Sequence, residues 1–194
     1  DHLIYTGNPT VARKVLAAAA QNLVPVTLEL GGKCPTLIAP DRVNEDSLAE
    51  VLSIKAVKSG QVCINTDYLL VPRAELERTV TTLQSLWARM FPSFVASESA
   101  TGIIDRRHFT RLQGYLTEAQ ARGVRVVQLG HEAADLERRV LPLSLVVDPP
   151  DDLALMQEEI FGPILPIKPY DSLEQAIAYI NAHERPLALY VFTD

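Results

Sequence analysis

The chain contains the segment Ser59-Gly60-Gln61-Val62-Cys63, which follows a stretch whose apolar residues repeat with a helical period. That order predicts a helix that ends near Gly60, with the thiol of Cys63 on the turn after it. A lone cysteine is more often a small buried apolar residue than a nucleophile. The motifs on either side of this segment therefore decide how Cys63 is interpreted.

Two further motifs supply carboxylates. Residues 26–30 alternate like a strand and stop at Gly31-Gly32, which places Glu29 beside a flexible corner of the backbone. The second motif is Glu158-Glu159-Ile160-Phe161-Gly162-Pro163. A thiol and a separate base are the groups that oxidise a carbonyl through a thioester, because the thiol accepts the carbonyl carbon and the base later activates water.

Each carboxylate also has an ordinary structural interpretation. The pair Glu158-Glu159 fits the start of a helix, and Phe161 fits core packing. Glu29 lies among apolar residues, where an unpaired carboxylate is costly, and this favours a functional role.

Strands and helices alternate along the chain. The strand segments are short and rich in apolar or β-branched residues: 1–7, 26–30, 35–40, 68–72, 124–129, 141–147, 164–170 and 187–194. The helical segments are 11–21, one capped by Asp46 or Ser47, 74–90, 106–122 and 172–181. This alternation predicts an α/β fold with a mostly parallel sheet flanked by helices.

Composition narrows the classes of function. A formal net charge of -6 disfavours nucleic acid as the partner, because phosphate binding needs a clustered basic face. The two cysteines, Cys34 and Cys63, and the four histidines show no metal-ligand spacing, so no metal site is expected. We expect no membrane segment and, from the low cysteine content and the lack of a leader, a cytoplasmic protein. Both ends of the sequence have the pattern of strands, so we expect this chain to be a piece of a longer protein.

Three motifs together carry a family resemblance: 24–33, Gly60-Gln61-Val62-Cys63 and 158–163. In order and spacing they resemble the aldehyde dehydrogenase superfamily, and the resemblance runs through nearly the whole chain. Residues 66–72 and 185–190 look most like the branch of fatty and aromatic aldehyde dehydrogenases, which includes coniferyl aldehyde dehydrogenases.

The resemblance implies roles for individual residues. Cys63 is the expected nucleophile and Glu29 the expected general base. The cofactor is NAD or NADP, with Glu159 on the nicotinamide ribose and Phe161 packing nearby. The segment Thr6-Gly7-Asn8 is expected to lie along the cofactor.

The resemblance also implies an incomplete enzyme. Residues 1–30 are the expected remnant of a Rossmann-like cofactor-binding domain, and residues 31–194 a catalytic domain that is incomplete at its C-terminus. The asparagine of the oxyanion hole is expected upstream of residue 1, so the isolated chain should fail in hydride transfer. The intact enzyme is expected to be a homodimer that oxidises an aromatic or fatty aldehyde. Two alternatives remain, a CoA-acylating relative and a catalytically silent fragment with a structural or interaction role.

Four positions depart from the family pattern. Asn8 replaces the usual serine, Ala12 a glycine, Cys34 a serine and Lys58 an asparagine. A Lys58 ammonium that points inward would favour the thiolate of Cys63, whereas a solvated one would have no effect.

Overall fold

The computed structural model describes residues 1–194 and arranges them around two sheets. The smaller sheet pairs β1 (Leu3–Thr6) in parallel with β2 (Val26–Glu29), and α1 (Pro9–Ala20) connects the two strands. The predicted start of α1 is confirmed, because the Asn8 side chain accepts a hydrogen bond from the backbone N–H of Val11 at 3.0 Å. Proline fits the first turn since its missing N–H has no partner there.

The larger sheet has six strands. They are β3 (Pro35–Ile38), β4 (Tyr68–Pro72), β5 (Arg125–Gln128), β6 (Ser144–Val147), β7 (Ile164–Tyr170) and β8 (Tyr190–Phe192). Their order is β5-β6-β7-β4-β3-β8, and every neighbouring pair is parallel except β5 with β6. The predicted mostly parallel sheet is confirmed. All four residues of β3 and of β6 are buried, as expected for strands covered on both faces.

Helices cover both faces of the larger sheet. They are α2 (Glu45–Ala56), α3 (Leu76–Met90), α4 (Arg106–Ala121), α5 (Ala154–Gln157) and α6 (Leu173–Asn181). Leu145 of β6 and Leu165 of β7 point into a core shared with α2 and α3. Val146, the residue after Leu145, and Ile164, the residue before Leu165, point into a second core shared with α4. This alternation follows from the two-residue period of a strand.

The predicted cap of α2 was wrong, and the ordinary structural interpretation of the pair at 158–159 does not hold either. Asn44 caps α2, and its side chain accepts a hydrogen bond from the backbone N–H of Ser47 at 3.0 Å. Asp46, one of the two predicted caps, lies in the first helical turn, where its charge favours the helix dipole. The pair at 158–159 does not begin a helix, because the N–H of Glu158 donates to the carbonyl of Ala154 and closes α5.

No helix combines the length and the apolar character that crossing a membrane requires. The division of the chain at residues 30 and 31 into a cofactor-domain remnant and a catalytic domain stays a prediction.

Candidate active site

Three successive residues bend the chain sharply after α2. Lys58, Ser59 and Gly60 have φ angles of 49°, 54° and 78°, in the left-handed region that residues other than glycine rarely adopt. The buried Ser59 hydroxyl stabilises the bend by donating to the carbonyl of Thr101 at 2.6 Å. The Lys58 side chain is exposed. Of the two alternatives, an ammonium that points inward and a solvated one, the structure shows the solvated one.

The Gln61 side chain ties this bend to a neighbouring loop. Its amide nitrogen donates to the carbonyl of Gly102 at 3.1 Å, and its amide oxygen accepts from the N–H of Ile104 at 2.9 Å. Ser59, Gly60 and Gln61 therefore each help to position the turn that carries Cys63.

Cys63 lies on a turn that its neighbours close. The N–H of Asn65 donates to the carbonyl of Val62 at 2.9 Å, and the Asn65 side chain donates to the carbonyl of Ile54 on α2 at 2.7 Å. Cys63 is exposed at this turn, with its thiol free, whereas Cys34 is completely buried. An exposed thiol on a fixed turn is the arrangement that a nucleophile requires.

The motif at 158–163 packs directly against this bend. A Cβ atom added to Gly60 would lie 2.3 Å from the carbonyl oxygen of Gly162, so the two backbones meet where neither residue has a side chain. Phe161 has a φ of 48° and is 36% exposed, so it does not belong to the core. The structure therefore brings the motif at 158–163 into contact with the one that leads to Cys63.

Glu159 lies beside the glycine corner that follows β2. A Cβ atom on Gly31 would meet the Glu159 carboxylate at 2.0 Å, so the missing side chain makes room for that group. Burial raises the pKa of Glu159, and a hydrogen bond from the backbone of Gly32 acts in the opposite direction. The carboxylate is thus half-buried and next to the backbone donor of Gly32.

An ion pair between Lys33 and Asp67 holds the loop that carries Glu159. The Lys33 ammonium also donates to the carbonyl oxygens of Leu155 at 2.8 Å and Glu158 at 3.0 Å. The second Asp67 oxygen accepts from the N–H of Ile160 at 2.9 Å. Since Asp67 follows Cys63 by four residues, this ion pair links the nucleophile segment to the Glu159 loop.

Arg111 of α4 fixes the same loop from the other side. Its guanidinium donates to the carbonyls of Glu159 at 3.2 Å and Ile160 at 2.8 Å, and to the hydroxyl of Tyr115 at 2.7 Å. Sequence reasoning assigned no role to Arg111 or to Asp67. Asp67 and Lys33 lay inside quoted motifs, but nothing in the sequence of α4 singled out Arg111.

The remaining predicted residues form a second group at the end of the smaller sheet. Thr6 pairs with Glu29 in the parallel register, and the N–H of Gly7 donates to the carbonyl of Glu29 at 3.1 Å. The Asn8 side chain caps α1, as described above. Glu29 is exposed, so the inference from sequence that its surroundings are apolar was wrong. The carboxylate of Glu29 does not hydrogen-bond to Cys63 or Glu159. The segment 30–33 connects this second group of residues to the group around Glu159.

An apolar cavity of about 260 Å³ opens next to Cys63. Its lining consists of five hydrophobic residues and one asparagine: Ile54, Val57, Val62, Ile64, Asn65 and Tyr190. The hydroxyl of Tyr190 donates to the carbonyl of Ile64 at 2.7 Å, which ties β8 to the Cys63 turn. No three His, Cys, Asp or Glu side chains are grouped so that they could hold a metal ion.

Comparison with known proteins identifies the family. The sequence pattern described as "Aldehyde dehydrogenase family" matches residues 1–194. The chain belongs to the aldehyde dehydrogenase family. The coniferyl aldehyde dehydrogenase of Pseudomonas sp. (strain HR199) is 43% identical to it over 196 residues, which cover 99% of this chain and 40% of that protein.

Solved aldehyde dehydrogenases share the fold. The substrate-bound state of Staphylococcus aureus AldH superposes with a TM-score of 0.91 at 34% identity, covering 100% of this chain and 42% of that one. A Mycobacterium tuberculosis aldehyde dehydrogenase complexed with NAD+ gives a TM-score of 0.86 at 30% identity, covering 98% and 40%. The family resemblance seen in the sequence is confirmed, and this aldehyde dehydrogenase chain spans about 40% of the length of these relatives.

Lys55 lies on the buried face of α2, and its burial predicts a pH dependence of the free energy of unfolding. It is fully buried, donates to the carbonyl of Thr66 at 2.8 Å, and has a pKa lowered from 10.5 to about 8, chiefly by burial. Between these two values the unfolded chain keeps a proton that the folded protein has released, so the free energy of unfolding should rise with pH. The expected gain from pH 8 to 10.5 is on the order of 3 kcal/mol.

Denaturant titrations across this pH range measure the effect. Lys55→Met should remove this rise, whereas Lys14→Met, at an exposed position of α1, should keep it. Equal pH dependence in the wild type and in Lys55→Met would contradict the assignment.

Proposed function

We propose that the protein containing this chain oxidises an aldehyde to a carboxylic acid with NAD or NADP, using Cys63 as the nucleophile and Glu29 as the general base. The observation that carries the proposal is the position of Cys63. It is an exposed thiol on a turn fixed by hydrogen bonds, and its neighbours Val62 and Ile64 line an apolar cavity.

Cys63 carries the reacting carbon throughout the proposed reaction. Its thiolate adds to the aldehyde carbon to form a thiohemiacetal, and loss of hydride from that carbon leaves a thioester on the same sulfur. A bound nicotinamide supplies the hydride acceptor. Glu29 then takes a proton from water, which attacks the thioester and releases the acid and the free thiol.

Water access supports the role of Glu29. A general base for hydrolysis needs contact with water and a path to the acyl carbon, and the exposed carboxylate at the end of β2 meets the first condition. The segment 30–33 joins it to the glycine corner against which Glu159 packs. We propose that a small movement of the end of β2 toward Cys63 provides the second condition, the path to the acyl carbon.

The residues around Glu159 fit a cofactor. Its carboxylate lies in the space that the missing side chain of Gly31 leaves, and in our proposal it binds ribose hydroxyls from there. Thr6 ends β1 and Gly7 follows it shortly before α1, and this junction is a common location for dinucleotides in α/β proteins. In our proposal Asn8 acts there through its backbone, because its side chain caps α1, and Phe161 packs near the nicotinamide.

A methyl group at Gly31 should weaken the cofactor site. In the full-length enzyme, Gly31→Ala is expected to raise the NAD dissociation constant about tenfold or more, because the new Cβ displaces the Glu159 carboxylate. Gly114→Ala is the matched control, since its Cβ would meet nothing within 4 Å. Titration calorimetry measures both constants, and equal affinity in the two variants would refute a role for the Gly31–Glu159 contact.

The cavity beside Cys63 favours an apolar substrate. Five of its six lining residues are hydrophobic, and its volume of about 260 Å³ is close to what an aromatic ring with a short substituent fills. The proposed substrate class is therefore an aromatic or fatty aldehyde, in agreement with the name of the Pseudomonas relative. We further propose a cytoplasmic homodimer for the full-length enzyme.

Alkylation tests the assignment of the nucleophile. With limiting iodoacetamide, peptide mapping should find Cys63 labelled well before Cys34, because Cys63 is exposed and Cys34 is buried. Burial also raises the pKa of the Cys34 thiol and so lowers its thiolate fraction. Denatured protein, in which both cysteines should react alike, is the control. Preferential labelling of Cys34 in the folded protein would remove the main support for the proposal.

A further inference from the structure

The second cysteine of the chain lies against the first. The Cys34 thiol is completely buried and donates to the backbone carbonyl of Cys63, with 3.5 Å between sulfur and oxygen. The family resemblance implies serine at this position, where this chain has a second sulfur.

The two sulfurs are within reach of a bond. A carbonyl oxygen lies about 2.4 Å from its own Cα, so the Cys34 sulfur lies within about 6 Å of the Cys63 Cα. A cysteine sulfur extends about 2.8 Å from its Cα, so a Cys63 side chain directed toward Cys34 would bring the sulfurs to about 3–4 Å. A further small movement of the turn reaches the disulfide length of about 2.05 Å.

The two thiols differ in their exposure to oxidants. Cys63 is open to solvent at its turn, whereas Cys34 has no exposed surface. A dissolved hydroperoxide therefore meets Cys63 first. Cys34 is shielded from the solvent but lies next to the one residue that becomes oxidised, and such proximity raises its effective concentration.

We propose that Cys34 is a resolving cysteine, which converts a peroxide-oxidised Cys63 into an intramolecular Cys34–Cys63 disulfide. This inference concerns the thiols alone and does not depend on the proposed aldehyde oxidation.

The chemistry requires a hydroperoxide as oxidant. The Cys63 thiolate attacks the O–O bond, takes one oxygen and becomes a sulfenic acid, while the other oxygen leaves as hydroxide or alkoxide and takes up a proton. The Cys34 sulfur then attacks the Cys63 sulfur, the S–O bond breaks, and the oxygen leaves with the Cys34 proton as water. Two thiols are oxidised by two electrons in total, and the peroxide is reduced.

The disulfide would protect the nucleophile from permanent damage. A sulfenic acid without a partner is oxidised further to sulfinic acid, which ordinary thiols do not reverse. A disulfide is reduced by a dithiol and restores both cysteines. Cys63 in this chain should therefore lose reactivity reversibly, whereas with serine at position 34 the loss should be permanent.

Peroxide treatment of the reduced protein tests this directly. After exposure to hydrogen peroxide and alkylation of the remaining thiols, non-reducing peptide mapping should find most of the oxidised Cys63 linked to Cys34, and dithiothreitol should restore both thiols. Cys34→Ser should instead accumulate sulfinic acid at Cys63 and recover little free thiol after reduction. Because the serine hydroxyl keeps the hydrogen bond to the Cys63 carbonyl, this variant should retain the fold, which circular dichroism checks.

The wild-type map is decisive even if the variant fails to fold. Finding Cys63 as sulfinic acid, or linked between two protein molecules, while Cys34 stays a free thiol would overturn the proposal. Equal recovery of Cys63 in the wild type and in a folded Cys34→Ser variant would also overturn it.

Discussion

Replacing Cys63 with alanine is expected to abolish aldehyde oxidation by the full-length enzyme. The sulfur holds the reacting carbon through both chemical steps, so kcat/KM should fall by roughly 10⁴- to 10⁶-fold, as when other covalent nucleophiles are removed. Cofactor binding should change little, because the contacts of Glu159 with Gly31 and of its loop with Lys33 do not involve the thiol. NADH formation with an aromatic aldehyde measures the loss, and titration calorimetry measures NAD affinity.

Cys34→Ser is the matched control for this substitution. It removes the other sulfur but leaves the Cys63 turn and the lining of the cavity intact, so aldehyde oxidation should persist. Appreciable turnover in Cys63→Ala, or its loss in a folded Cys34→Ser variant, would contradict the proposed nucleophile.

The isolated chain gives a second readout for Cys63. It should produce no NADH, because misplacing the hydride acceptor by about 1 Å already costs roughly a hundredfold and most of the cofactor contacts are expected upstream. Slow cleavage of an activated ester needs no cofactor and should survive, then vanish in Cys63→Ala. Robust NADH formation by residues 1–194 alone would show that this chain is catalytically complete.

Replacing Glu29 with glutamine is expected to stop the reaction after its first half. The amide cannot take a proton from water, so hydrolysis of the thioester should slow by roughly 10²- to 10⁴-fold. The full-length variant should release about one NADH per site in a burst and then stall. Rapid-quench measurements resolve the burst from the steady state.

Glu50→Gln is the control for this loss of charge, because Glu50 is an exposed glutamate on α2, and it should turn over normally. The same experiment distinguishes the proposed hydrolysis of the thioester from the CoA-acylating alternative. A CoA-acylating enzyme would release its acyl group to a thiol and would need no activated water, so steady turnover of Glu29→Gln with coenzyme A would favour that alternative.

Local signals made much of the fold predictable. Asn8 followed by proline marks the start of α1, and the apolar run of β7 has the length of a covered strand. By contrast, α5 has four residues, which is too short to show a helical period, and it went unpredicted. The cap of α2 was placed two or three residues late because Asn44, Asp46 and Ser47 are all good caps, and only the extended backbone of Asn44 decides among them.

The parts of the site that lie within sequence motifs were predictable. The parts that depend on contacts between residues far apart in the sequence were not. Cys63 and Glu159 lie in motifs that sequence alone singles out, and the segments that carry them meet at the contact between Gly60 and Gly162. The partners that hold the Glu159 loop come from remote positions, such as Arg111, which lies 48 residues before Glu159. Such pairings depend on the way strands and helices assemble, and one sequence does not reveal them.

Trapping the acyl intermediate tests the central claim most directly. The full-length Glu29→Gln enzyme would be mixed with NAD and an aromatic aldehyde, quenched in acid during the stall, digested and analysed by mass spectrometry. We predict a single acyl thioester, on the peptide that contains Cys63. An acyl group on Cys34, or NADH release at one equivalent per site with neither cysteine acylated, would contradict the account.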